Sequence, residues 1–163
     1  MAAIDGQTRV NLSVLDRLVD LDPASAEEAS ASRLSGVHGL QDSVRRDLAA
    51  LLNIRRREHP IPAEFEHCNT SLLVFGLPDF TALSLRNPED QRRLGQAIET
   101  AIRKFEPRLS GVSVSPEPRN ELDPVLRYRV EALLDIEPAP EPITFDTVLQ
   151  VDTGQFLVTG QKK

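Results

Sequence analysis

Cysteine is almost missing from this chain: Cys68 is the sole one among 163 residues. No intramolecular disulfide can form, which points to a reducing compartment, the cytoplasm. Lysine is scarce too, with Lys104, Lys162 and Lys163 the only ones among 19 basic residues. Arginine takes its place. Its planar fork suits interface contacts, although genomic base composition accounts for the bias at least as well. No apolar run approaches the ~18 residues of a membrane span. The opening MAAIDGQTRV has neither the basic start nor the apolar core of a signal peptide. Positive charge is not in excess: the formal net charge of −6 argues against a general nucleic-acid binder. What is present, 40% hydrophobic and 27% charged residues, is the composition of a soluble domain with a proper core and room for an extra arm.

Reactive groups are thinly spread. Residues 64–68, EFEHC, bring Glu64, Glu66, His67 and Cys68 together. A structural zinc site needs a second cluster to complete four ligands. His38 and His59 stand alone and there is no other cysteine, so no metal and no cofactor is expected. Glu64 and Glu66 also invite a glycosidase reading, since such enzymes place two carboxylates at a set separation. Paired acids on a surface loop more often serve solubility, and no catalytic residue is assigned.

The clearest element is the stretch from Asn87 to Gly111. Asn87 can cap a helix, Pro88 suits its first position, and Glu89 and Asp90 favour its positive end. Leu94, Ala97, Ile98, Ala101, Ile102 and Phe105 then recur as one stripe at the 3.6-residue period. Pro107 ends the pattern by pushing Glu106 out of the α region. Glu106 is the oddity, because a carboxylate at a helix C-terminus opposes the macrodipole. In an extended chain residues two apart share a face, so Glu106 and Arg108 are expected to project together from a stiff corner.

Upstream, Ser13-Val14-Leu15-Asp16 reads as a capping box opening a two-turn helix over residues 13–20. Such a helix is too short to stand alone and must dock on something. Residues 22–36 are small, polar and aperiodic, as a flexible linker is. The chain therefore divides into an arm, 1–39, and a domain, 40–163. In the domain, Ser43 opens a helix carrying Val44, Leu48, Leu51 and Leu52, closed at Asn53. Arg55-Arg56-Arg57 reads as a solvated basic turn or as a docking site for an acidic surface. Leu72, Leu73, Val74, Phe75, Leu77 and Phe80 form an apolar block expected in the core. Beyond Arg108 the period switches to two. Val112 and Val114 alternate up to Pro116; Leu126 to Ile136 alternate over 125–137; Ile143 to Val151 alternate again. Asp152-Thr153-Gly154 reads as a hairpin turn into Gln155–Thr159. Helices first and strands later predict an α+β domain: an antiparallel or mixed sheet of about four strands, two main helices on one face.

These residues also carry a resemblance. A helix ending at Leu51-Leu52-Asn53, the FGLPDF block (Phe75 to Phe80), a helix running into FEPR (Phe105 to Arg108) and alternating strands together resemble the TssE family. TssE is a baseplate subunit of the bacterial type VI secretion system, similar in turn to the wedge protein of contractile phage tail baseplates and its lysozyme-like namesakes. Ser13 to Leu18, SVLDRL, is similar to the family's N-terminal signature. The likeness covers residues 13–20 and roughly 40–160. One departure is Asn53-Ile54-Arg55-Arg56-Arg57, which lacks the glycine that phage relatives carry there, so that loop's contacts are not carried over.

The resemblance implies assembly rather than chemistry. It implies a structural adaptor joining the wedge proteins TssF, TssG and TssK to the sheath subunits TssB and TssC, in the cytoplasm on a baseplate docked at the inner membrane. No nucleic acid, small-molecule ligand or membrane insertion is implied. It assigns docking on the wedge core to Glu106, Pro107 and Arg108. The residues by themselves favour an internal pair holding the corner. It gives the arm residues Leu15, Asp16, Arg17 and Leu18 a partner, and it makes the chain a template for the first sheath ring by strand addition. The edge for that addition is expected in the last two strands, at Ile143, Phe145, Phe156 and Val158. Alternative readings are a muramidase acting through Glu64 and Glu66, and a regulatory binder like the anti-adaptor of a stress sigma factor that shares this fold.

Overall fold

The computed structural model describes residues 37–56, 61–62, 64–84, 86–118 and 125–160. The arm with Leu15, Asp16, Arg17 and Leu18, and Arg57 and His59, lie outside the described residues. Helix α1 (Val37–Asn53) is followed by a single helical turn, α2 (Glu66–Asn69), and a 3-10 turn at Leu72–Val74. Helix α3 (Pro88–Phe105) leads into four strands: β1 (Leu109–Pro116), β2 (Val125–Leu134), β3 (Glu141–Gln150) and β4 (Gln155–Gly160). They form one antiparallel sheet in the order β1-β2-β3-β4, so every neighbour in space is a neighbour in sequence. The fold is α+β. No helix among the described residues is long and apolar enough to cross a membrane.

The sheet offers one apolar face, and the helices cover it. Along β2 the buried side chains are Leu126, Tyr128, Val130, Ala132 and Leu134; along β3 they are Ile143, Phe145, Thr147 and Leu149. Register places Tyr128 opposite Thr147 and Val130 opposite Phe145, which keeps the apolar positions of neighbouring strands on one side. Leu40, Val44, Leu48, Leu51 and Leu52 of α1 meet Leu94, Ile98, Ala101 and Ile102 of α3 in the same core. Helix α3 begins as its sequence dictates. The Asn87 side chain accepts from the Glu89 backbone N–H, and Pro88 occupies the first turn.

Several boundaries differ from the sequence reading. Helix α1 starts at Val37 rather than Ser43, because Leu40 continues the Val44–Leu48 stripe one turn upstream. Ser43 is therefore a buried mid-helix residue and not a cap. Leu72 and Leu73 are 82% and 66% exposed, not core. They ride on the 3-10 turn capped by Ser71, and only Leu77 and Phe80 of that block reach the interior fully. Strand β2 ends at Leu134, after which the Asp135 N–H donates to the Arg108 carbonyl instead of to the ladder. Strand β3 is interior: β2 pairs it over its full length and β4 pairs it from Phe145 to Gln150. Residues 145–150 therefore offer no free edge, and the expectation of two edge strands narrows to β4.

Candidate interface: the corner after α3 and the two sheet edges

The corner after α3 is built by a helix that must stop. The Glu106 N–H still donates to the Ile102 carbonyl at 2.9 Å, but Glu106 has left the helical region, at φ −120° and ψ 82°. Pro107 and Arg108 form a turn, and the Leu109 N–H donates back to the Glu106 carbonyl at 3.2 Å. Glu106 and Arg108 do share a face, but it is the inner one. Arg108 Nε donates to Glu106 Oε1 and Nη2 donates to Oε2, both at 2.6 Å, a bidentate fork. The same Nη2 reaches Asp47 Oδ2 at 2.6 Å, and Nη1 donates to Ser43 Oγ at 2.9 Å, both on α1. Glu106 is only 4% exposed.

Glu106 and Arg108 thus form the internal pair that the residues by themselves favour, and the expectation that they project from the corner is corrected. The extended geometry it assumed is absent, and a turn folds both side chains back onto α1. Only Pro107, the tip, is exposed. Burial by itself would lower the Arg108 pKa, but the hydrogen bonds and charges of Glu106 and Asp47 reverse this and hold it above its ordinary value. Ser43 and Asp47 are the residues the sequence reading missed. Their spacing of four on α1, beside the Leu40–Val44–Leu48 stripe, is the signal that could have found them.

The other basic cluster is divided in the same way. Arg55 is spent internally: Nη1 donates to the Leu52 carbonyl at 3.0 Å, Nη2 to the Gly154 carbonyl at 2.6 Å, and its guanidinium lies 4.0 Å from the Phe80 ring centre. It ties the end of α1 to the β3–β4 turn, and partial burial lowers its pKa. Arg56 stays exposed. Glu64, Glu66 and His67 are exposed, and Cys68 is half-buried on α2.

Each edge of the sheet has two backbone groups held by helix side chains. On β1, Arg103 Nη2 donates to the Val112 carbonyl at 2.7 Å, and the Val114 N–H donates to Glu99 Oε2 at 3.1 Å. Glu99 and Arg103 are themselves an ion pair at 2.8 Å, so one paired couple on α3 takes two backbone groups of that edge. On β4 a single residue does the corresponding work. The Phe156 N–H donates to Asn53 Oδ1, and Asn53 Nδ2 donates to the Phe156 carbonyl, both at 2.9 Å. By the alternation of an antiparallel ladder, Val158 and Gly160 turn their backbone groups to that same side, away from β3. The side chains of Ile143, Phe145, Phe156 and Val158 are all buried, so a visitor could meet β4 only through its backbone or through the exposed Gln155, Leu157 and Thr159.

A wall-bound helix pair, a self-locked corner and one guarded sheet edge define a scaffold with contact surfaces. Residues 38–139 match the family model described as baseplate wedge protein gp25, and the chain belongs to that family. It is accordingly a structural baseplate protein that works alongside other baseplate components. No curated protein and no solved structure matches it.

Proposed function

We propose that this chain is the TssE-type subunit of a type VI secretion baseplate, acting by interfaces alone. In this reading it sits on the wedge proteins TssF, TssG and TssK, in the cytoplasm beneath the inner membrane, and offers its sheet to TssB and TssC. The observation that carries the reading is the β4 edge, where backbone donors and acceptors at Val158 and Gly160 lie beyond the Asn53 clamp. A strand from a sheath subunit laid there would be held by main-chain hydrogen bonds. The Glu106-Pro107-Arg108 corner then serves wedge docking as a rigid shape with Pro107 at its tip, and the arm around Leu15, Asp16, Arg17 and Leu18 supplies a second tether.

Gly160→Pro tests the edge. A Cβ at Gly160 meets nothing within 4 Å, and the substitution removes the outward N–H. Co-purified sheath subunits should fall away while the wedge proteins stay bound. Unchanged sheath capture would refute strand addition at β4.

A further inference from the structure

Past Phe156, β4 keeps backbone groups in want of partners. The N–H and C=O of Val158 and Gly160 point away from β3, and no hydrogen bond from any other described residue reaches them. An edge in that state invites unwanted pairing, and proteins commonly cover it with a segment of their own. The core side of this last stretch is roomy as well. A Cβ at Gly160 would meet nothing within 4 Å, and no positive φ demands glycine there. An added strand has space to lay an apolar side chain beside it.

Topology decides which segment of the chain can come here. Asn53, the last residue of α1, sits on Phe156 at the start of β4, and α1 packs along that strand. Its first residue, Val37, consequently lies about 25 Å away, toward Gly160. Arg108 bears out this direction. It meets Ser43 and Asp47 of α1 and precedes Leu109, which pairs with Leu134 as Leu134 pairs with Glu141, at the end of the sheet toward which β4 runs. Residues 57–60 and 119–124 leave from the opposite end, after α1 and between β1 and β2, and residues 161–163 continue β4 itself. Of the longer segments outside the described residues, only 1–36 joins the fold at the open end. Within it, Thr8, Val10 and Leu12 alternate with Arg9 and Asn11, one face for the core side and one for water. Residues 13–36 span roughly 25–30 Å as a coil, about the length of α1, so the effective concentration at the edge is on the order of millimolar.

We infer that residues 8–12 cap β4 in the free chain, with Val10 opposite Val158, and that a sheath strand must displace them to bind. The cap stands on the geometry of this chain alone; the displacement step rests on the strand-addition reading above. A pairing this short frays well below the melting temperature of the domain, so Tm does not report it.

The test compares the full chain with Val10→Pro, which removes one backbone donor from the capping segment and leaves the described domain untouched. Amide exchange is read by NMR at Val158 and Gly160. The wild type should protect these outward amides about fivefold more than Val10→Pro, at low and high protein concentration alike. Equal exchange in the two chains overturns the inference. Protection that grows with concentration overturns it too, because a second copy then covers the edge. Sheath subunits TssB and TssC are added next, and Val10→Pro should capture them about fivefold more tightly, since the competent edge is no longer a minor population. Unchanged capture overturns the displacement step. If exchange reveals the cap but neither chain captures sheath, the strand-addition reading fails and the cap stands.

Discussion

Arg108→Ala decides between an inward and an outward corner. The guanidinium is held by Glu106 and Asp47 at 2.6 Å and by Ser43 at 2.9 Å. The side chains of Arg108 and Glu106 are 14% and 5% exposed, so solvent screens the pair only weakly. Truncation leaves the Glu106 carboxylate buried without its fork, and breaking a buried pair from one side costs about 3–5 kcal/mol. For a domain of this size each kcal/mol moves Tm by about 4 °C, so a loss of roughly 10–20 °C is expected. Replacing both partners by apolar residues, Glu106→Leu with Arg108→Met, removes the stranded charge and should recover a large part of that loss. Asp47→Asn, at a rim position, should cost no more than about 1 kcal/mol. Thermal melts by circular dichroism, with wedge co-purification on the same samples, give the answer. If Arg108→Ala melts within about 2 °C of wild type yet loses the wedge proteins, the clasp is not internal and the reasoning fails.

Tyr128 offers a pH handle. Its hydroxyl donates to the Gln91 carbonyl at 2.9 Å, and burial raises its pKa above the ordinary phenol value. Its folded pKa being raised, the contribution is complete below pH ~10 and is lost as pH rises through the folded value. Tyr128→Phe should cost about 1 kcal/mol in urea melts near neutrality, and that difference should shrink above pH 10; a constant difference would contradict the assignment. Gly76→Ala should destabilise by roughly 2–4 kcal/mol from backbone strain plus the clash with Ile54, measured by denaturant midpoint. Deleting residues 1–21 should leave the Tm of the rest unchanged but reduce wedge pull-down, and normal pull-down would count against a tethering arm. Glu64→Gln with Glu66→Gln should leave secretion intact, whereas a muramidase would be abolished.

The sequence was readable where one physical rule acts alone. Helix α3 is signed at both ends by Asn87-Pro88 and Pro107, and the strands carry an unbroken alternation at Leu126–Leu134 and Ile143–Leu149. The hairpin turn was equally plain, with Gly154 at φ 66°. Long-range geometry was not. Whether Glu106 and Arg108 face in or out depends on where α1 lies, and local spacing cannot report a partner 61 residues away in sequence, such as Asp47. Leu72 and Leu73 misled for a related reason, since apolar character sets a tendency to be buried but not which turn carries the side chain away. Which of the late strands lies at the rim was also invisible, because alternation describes faces and not neighbours.

Both rims of the sheet are held by helix side chains, at different places along their strands. Glu99 and Arg103 hold one margin at Val112 and Val114, and Asn53 holds the other at Phe156, so a chain pairing along β4 would begin at Val158. Two bare margins would let copies of one chain add edge to edge without end. Helix side chains clamp a part of each margin, which limits such growth.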